Sequence, residues 1–139
     1  FINDLKKRSK IFKIYNIYFF KTVSYDLLSS YLNIADVGLV NLNSDANNLC
    51  VPSKVLTYYS NSLPVLAAMP TTNLASKNII RYNTGFVSNP KNINLYLKNA
   101  NLIKKDKLLR LKLSNNCKLY ANNKFDIKKI TKYFYHIIK

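Results

Sequence analysis

The chain contains no Glu, no Gln and no Trp, and only two Gly, two Cys and one His among its 139 residues. Each shortage closes a route. A paired-carboxylate mechanism would have to draw on six Asp, and these are scattered along the chain. Gly38 and Gly85 are too far apart to build a Gly-rich phosphate loop, which argues against Walker and dinucleotide fingerprints. Cys50 and Cys117 have no metal-like spacing and read as free thiols of a reducing cytosol. The single His136 sits near the C-terminus beside Phe134 and Tyr135 and reads as a packing or surface residue. A Ser-His-Asp arrangement would need it near a strand end, and no His/Cys cluster suggests a metal. No apolar run approaches the roughly 18 residues of a membrane span. The basic N-terminal stretch leads into Ile11–Phe20, which Lys13 and Asn16 interrupt, so no signal peptide is expected either.

What is present points to one folded domain. Hydrophobic residues make up 48% of the chain, which is ordinary for a globular protein, and the length fits a single core. Twenty-two Lys and Arg face six Asp, giving +16. Such a balance attracts anions: nucleic acid, an anionic membrane face or a phosphorylated substrate. Asn, Lys, Ile and Tyr are all abundant and all have A/T-rich codons, so genomic drift is a second source of the same bias. The first residue is Phe1 rather than Met, and further sequence is expected upstream.

The apolar pattern alternates. Ile14–Phe20 is rich in Ile, Tyr and Phe and reads as a strand. Ser24 is a suitable N-cap for a helix to about Ala35, with Leu27, Leu28, Tyr31 and Leu32 as its apolar stripe. Residues 36–42 form a near-continuous apolar strand, and residues 43–48 a polar loop. Pro52 and Ser53 open a helix that Asn61 and Ser62 end, and residues 63–67 give a third strand. A short helix covers Thr72 to Arg81. A fourth strand spans residues 84–87, with Gly85 in its turn. Beyond Pro90 the sequence is Lys-rich and helical in period, in segments 93–103, 105–120 and, capped by Asp126, 127–137. Strand–helix alternation of this kind predicts an α/β domain: a Rossmann-like parallel sheet with right-handed crossovers and helices on both faces.

In an open α/β sheet ligands bind beyond the carboxyl ends of the strands. Those ends meet loops at residues 21–24, 43–53 and 67–72. The second loop ends at a helix start, where free N–H groups and the helix dipole suit a phosphate. Lys54 adds a charge there and Ser53 a hydroxyl. The same residues also fit an ordinary capped helix with one surface lysine.

Five segments, in order, resemble group 1 (family 4) glycosyltransferases. Asn16-Ile-Tyr-Phe-Phe-Lys-Thr-Val-Ser-Tyr-Asp-Leu-Leu and Tyr31-Leu-Asn-Ile-Ala-Asp-Val-Gly-Leu-Val are similar to a strand and helix followed by an Ala-Asp-Val strand. Val51-Pro-Ser-Lys-Val-Leu-Thr-Tyr-Tyr-Ser-Asn-Ser-Leu-Pro-Val-Leu-Ala looks like the family's Pro-Ser-Lys helix and Pro-Val strand. Ile79-Ile80 with Thr84-Gly-Phe-Val resembles the next strand and turn, and residues 107–126 resemble the closing helix.

The resemblance covers nearly the whole chain and implies the C-terminal, donor-binding half of a GT-B fold, over residues 1–139 and without its first strand. The N-terminal domain that holds most of the acceptor site would be missing from this chain. It implies transfer of a sugar from a nucleotide-diphosphate sugar to a polysaccharide or lipid-linked acceptor, usually with retention and without a bound metal or other cofactor. The implied enzyme is a hexosyl or glycosyl transferase whose other half lies on a longer chain, placed in the cytoplasm and peripherally on the inner face of the cytoplasmic membrane, where basic helices attract anionic lipid. The donor contacts it implies are Pro52, Ser53, Lys54, Thr57 and Tyr58, with the base read near Val23. Two family glutamates fall at Leu49 and Thr57, the later one being the ribose contact, so Thr57 offers one hydrogen bond in place of a carboxylate. The family's Gly after its first strand is Thr22 here, and its helix-end Gly is Ser62. Two other readings follow from the same residues: a basic, non-catalytic nucleic-acid-binding module built on the Lys-rich helices, and an inactive transferase remnant.

Overall fold

The computed structural model describes residues 2–44 and 50–138. Its centre is a small open sheet of three parallel strands in the order β1-β2-β3: β1 Gly38–Asn41, β2 Val65–Ala68 and β3 Gly85–Ser88. Gly38 aligns with Val65, and Val65 in turn with Gly85. β2 has neighbours on both sides and its first three residues are buried, as a central parallel strand requires.

Helices α3 (Ser53–Ser60) and α4 (Leu74–Arg81) carry the chain from β1 to β2 and from β2 to β3. Both crossovers step across the sheet in the same direction, so a common hand sets both helices on one face. There Val55 and Tyr59 of α3 and Ala75 and Ile79 of α4, each pair four residues apart, pack with Val40, Val65, Ala67 and Met69. The opposite face takes α5 (Ile93–Lys105), whose Ile103 packs with Leu66 and with Leu113 of α6 (Lys107–Lys124).

α6 also runs under the amino ends of the strands. Ser114 Oγ donates to the Ser62 carbonyl at 2.7 Å, Asn116 Nδ2 donates to the Asn83 carbonyl at 2.8 Å, and the Cys117 thiol lies 3.5 and 3.4 Å from the carbonyls of Leu63 and Thr84. Tyr59 Oη and Thr84 Oγ1, both buried, meet at 2.7 Å. Arg110 fastens the start of α6. It donates to the carbonyls of Ile103 and Lys104 at the end of α5, where a cation suits the helix dipole, and it pairs with Asp36 at 3.3 Å.

The fold confirms the α/β reading and corrects some of its elements. Residues 14–20 form no strand. They follow an additional helix, α1 (Ile2–Ile11), and run without helix or strand to α2 (Tyr25–Leu32). A strand needs a hydrogen-bonding neighbour, and no described segment provides one. α2 stops at Leu32 rather than Ala35, and Ser24 holds the N-cap backbone position without a side-chain cap bond. Gly85 is not in a turn. It is the first residue of β3, and a Cβ there would strike the Val65 backbone carbonyl. Asn83, at φ 49°, makes the left-handed turn. α7 (Ile127–Ile138) begins as expected, with Asp126 Oδ1 accepting from Lys128 N at 3.0 Å.

Candidate functional site

Because α6 occupies the amino edge of the sheet, the carboxyl edge is the one left for a ligand. It is built from Asn41, Ala68 and Ser88 and the connections that follow them. A pocket of 280 Å³ opens there, lined by residues that include Asn41, Leu42, Ala68, Asn89, Ile93 and Tyr96. Ser88 is buried, and its hydroxyl accepts from Asn99 Nδ2 of α5 at 3.3 Å. Tyr96 lines this pocket, and burial raises its phenol above the ordinary range.

Asn73 ties two of the connections together. Its side chain is fully buried. Oδ1 accepts from Ala75 N at 2.8 Å and caps α4, and Nδ2 donates to the Cys50 carbonyl at 2.8 Å. Ser76 adds a bond to the Pro70 carbonyl at 2.7 Å. The segment entering α3 is therefore fixed to the start of α4. The sequence reading set the α4 start at Thr72 and missed Asn73. The signal was present, since Asn is among the favoured N-caps, but its second bond to Cys50 is a tertiary contact that no local pattern encodes.

The expected site residues mostly share one element. Pro52 occupies the N-cap position of α3, at φ −64° and ψ 117°, and brings no side-chain cap. Val55 N bonds the Pro52 carbonyl at 3.0 Å. Ser53 and Lys54 are exposed in the first turn, which contains no acidic residue. Among the described residues no side chain caps this start, and a helix N-terminus with one Lys and one hydroxyl on its first turn is an electropositive edge that suits an anion.

Thr57 is half-buried, and its hydroxyl donates back to the Ser53 carbonyl at 3.3 Å. Tyr58 turns toward β1. Its hydroxyl donates to the Leu39 carbonyl at 3.3 Å and its ring fills the space over Gly38, where a Cβ would stand 2.5 Å from Cε2. Desolvation raises the Tyr58 phenol. Val23 lies half-buried in the segment ahead of α2, on a part of the chain separate from α3. Leu49 and most of the 43–48 loop fall outside the described residues.

Other chemistries find no constellation among the described residues. No group of three His, Cys, Asp or Glu is placed to hold a metal ion. Burial pushes the Cys117 thiol up to about 12, and it faces backbone carbonyls under the sheet rather than a cleft. His136 is exposed on α7. A second cavity, of 360 Å³, lies on the α5 face beside β1, among Val37, Leu39, Leu66 and Ala100, with the Asp36–Arg110 pair at its rim. No described helix is long and apolar enough to cross a membrane. Comparison of the chain with protein-family models, with curated proteins and with solved structures gave no match.

Proposed function

We propose that this domain binds the diphosphate of a nucleotide sugar and serves as the donor half of a group 1 glycosyltransferase. The observation that carries the reading is the uncapped start of α3, which presents Ser53 and Lys54 at the carboxyl edge of a parallel sheet. Ligands of open α/β sheets bind at that edge, and a phosphate there gains from both the free N–H groups and the dipole.

Two further features support it. Ser62 adopts φ 55° at the end of α3, a left-handed position where the resembled segment carries Gly. Among the described residues no strand pairs with the outer edge of β1, where a further parallel strand of a larger donor half would fit. The facing acceptor domain, for a saccharide or lipid-linked acceptor, would belong to the same larger protein.

In this reading the acceptor oxygen bonds to the anomeric carbon as the bond from that carbon to the diphosphate oxygen breaks, the acceptor's proton passes to the departing diphosphate, and negative charge grows on that diphosphate in the transition state. The Lys54 ammonium and the Ser53 hydroxyl stabilise that charge together with the helix N–H groups. Thr57, one turn on, exchanges its bond to the Ser53 carbonyl for a ribose hydroxyl. Tyr58 seats α3 against β1, and the Val23 segment covers the base. Titration of the chain with UDP, GDP and ADP should show binding of at least one, weakened about tenfold by Lys54→Ala. Absence of binding to all three, or binding indifferent to Lys54, would sink the proposal. Steeply salt-dependent binding of duplex DNA in place of a nucleotide would favour the charge-driven alternative.

A further inference from the structure

α7 is a surface helix with a partner-seeking pattern and no buried residue. Every residue from Ile127 to Ile138 is exposed, Phe134 to 57% and Ile138 to 82%. At about 100° per residue, Ile127, Ile130, Phe134, Ile137 and Ile138 fall in one sector about 100° wide. Lys128, Lys129, Lys132 and His136 occupy the opposite side. Tyr133 and Tyr135 stand on the two borders between them. An apolar stripe, a cationic back and a phenol on each boundary is the layering of a helix that lies in a water–lipid interface. Its 12 residues reach about 18 Å, too short to cross a bilayer.

We infer that α7 docks this domain in the plane of an anionic lipid surface. Charge complementarity selects that occupant. Within α7 itself there is no acidic residue, and the nearest, Asp126, is held at the helix start, accepting from Lys128 N and pairing with Lys129 at 3.8 Å. A second copy of the chain would carry the same net charge of +16, which opposes self-association. A nucleic acid would engage the lysines and leave the Ile and Phe sector in water. Lipid headgroups and acyl chains satisfy both sides of the helix together. The inference stands apart from the donor-site reading and does not need it.

The absence of Trp gives a direct test. Phe134→Trp places the sole indole of the chain in the middle of the apolar sector. With vesicles of equal parts phosphatidylglycerol and phosphatidylcholine its emission should shift to the blue, while with phosphatidylcholine alone it should stay at the water-exposed wavelength. In that reporter Ile130→Ser with Ile137→Ser, which leaves the charge unchanged, should cut partitioning at least tenfold. Lys128→Ala with Lys132→Ala should cut it on the order of twentyfold. No α7 side chain is buried, so far-ultraviolet dichroism and the thermal midpoint should be the same in all variants. Four results would each overturn the inference: an indole that stays exposed on anionic vesicles, partitioning indifferent to Ile130 and Ile137, a shift that grows with protein concentration without lipid, or a shift with duplex DNA and none with vesicles.

Discussion

Residues 37–125 and the flanks on either side of them draw on the same apolar alphabet of Ile, Leu, Val, Tyr and Phe, yet their fates differ. Among the described residues every buried side chain falls between Val40 and Cys117. In the flanks Ile11, Tyr15, Tyr18, Tyr25 and Ile34 are mostly exposed, and α1, α2 and α7 bury no residue at all. Amphipathic periodicity therefore states that an element wants a partner. It does not state that the partner is within the same chain. The central elements find theirs because each crossover returns the chain to the sheet, so a helix stripe and a strand face are delivered to one another by topology.

The sharpest way to break the central region is at its glycines, which differ from each other. A Cβ on Gly85 meets the Val65 backbone, and neither strand can yield without losing the pairing of β2 with β3. A Cβ on Gly38 meets the Tyr58 ring, a side chain that can rotate away. Gly85→Ala should therefore cost more than about 3 kcal/mol, or abolish folding, whereas Gly38→Ala should cost about 1–2 kcal/mol. Urea denaturation of the two variants decides it, and equal losses would show that the β2–β3 approach is less rigid than it looks.

A smaller effect should follow from the buried acids of the core. Burial raises the Cys117 thiol from an ordinary value near 9 to about 12, and the same cause, opposed by its bond to Thr84, raises the Tyr59 phenol above its range. The folded state then holds these protons more tightly than the unfolded chain does. Below about pH 9 both states are protonated and stability is unaffected. Above it the unfolded chain ionises first, and stability falls by about 1.4 kcal/mol per pH unit for the thiol until its folded value is reached. At about pH 10.5 the loss is about 2 kcal/mol. Cys117→Ala should remove the early part of this slope and leave the part due to Tyr59 and to other raised phenols, among them Tyr58 and Tyr96, which begins about one unit higher, near the ordinary tyrosine value of 10.0. Urea midpoints measured from about pH 7 to 11 would show no fall between about pH 9 and 10 if the thiol were open to water.

The same contrast explains what the sequence made legible. The strands at 38–41, 65–68 and 85–88 and the helices between and after them were readable because short apolar runs, Pro52, Asn61 and Asp126 mark their limits locally. Ile14–Phe20 had the right composition for a strand and still forms none, since composition carries no information about a neighbour's free edge. Of the candidate site, Pro52, Ser53 and Lys54 were legible as a helix start facing the carboxyl edge. Their attachment through Asn73 to Cys50 was not, nor was the use of Tyr58 as a lid on Gly38, because both join residues 20 or more positions apart. Gly85 was misplaced for a related reason: a glycine demanded by close approach of another strand looks, in one dimension, like a glycine demanded by a turn.

A matched pair of leucines tests the comparison at its weakest point. Leu27 of α2 and Leu113 of α6 are the same residue type, each on the apolar stripe of a helix, but Leu27 is 53% exposed and Leu113 is 0% exposed. Truncating Leu113 removes contacts with Leu66 and Ile103 and leaves a cavity, so Leu113→Ala should cost about 2–5 kcal/mol. Leu27→Ala removes a side chain half in water from a helix that buries nothing, so it should move stability by no more than about 0.5 kcal/mol. A large loss at Leu27 would mean that α2 packs on the sheet in solution, and the border between core and flank would then move toward the N-terminus. A null result would leave its stripe of Leu27, Leu28, Tyr31 and Leu32, which among the described residues meets the Phe20 ring at Tyr31 and no part of the sheet core, in much the same position as the Ile and Phe sector of α7.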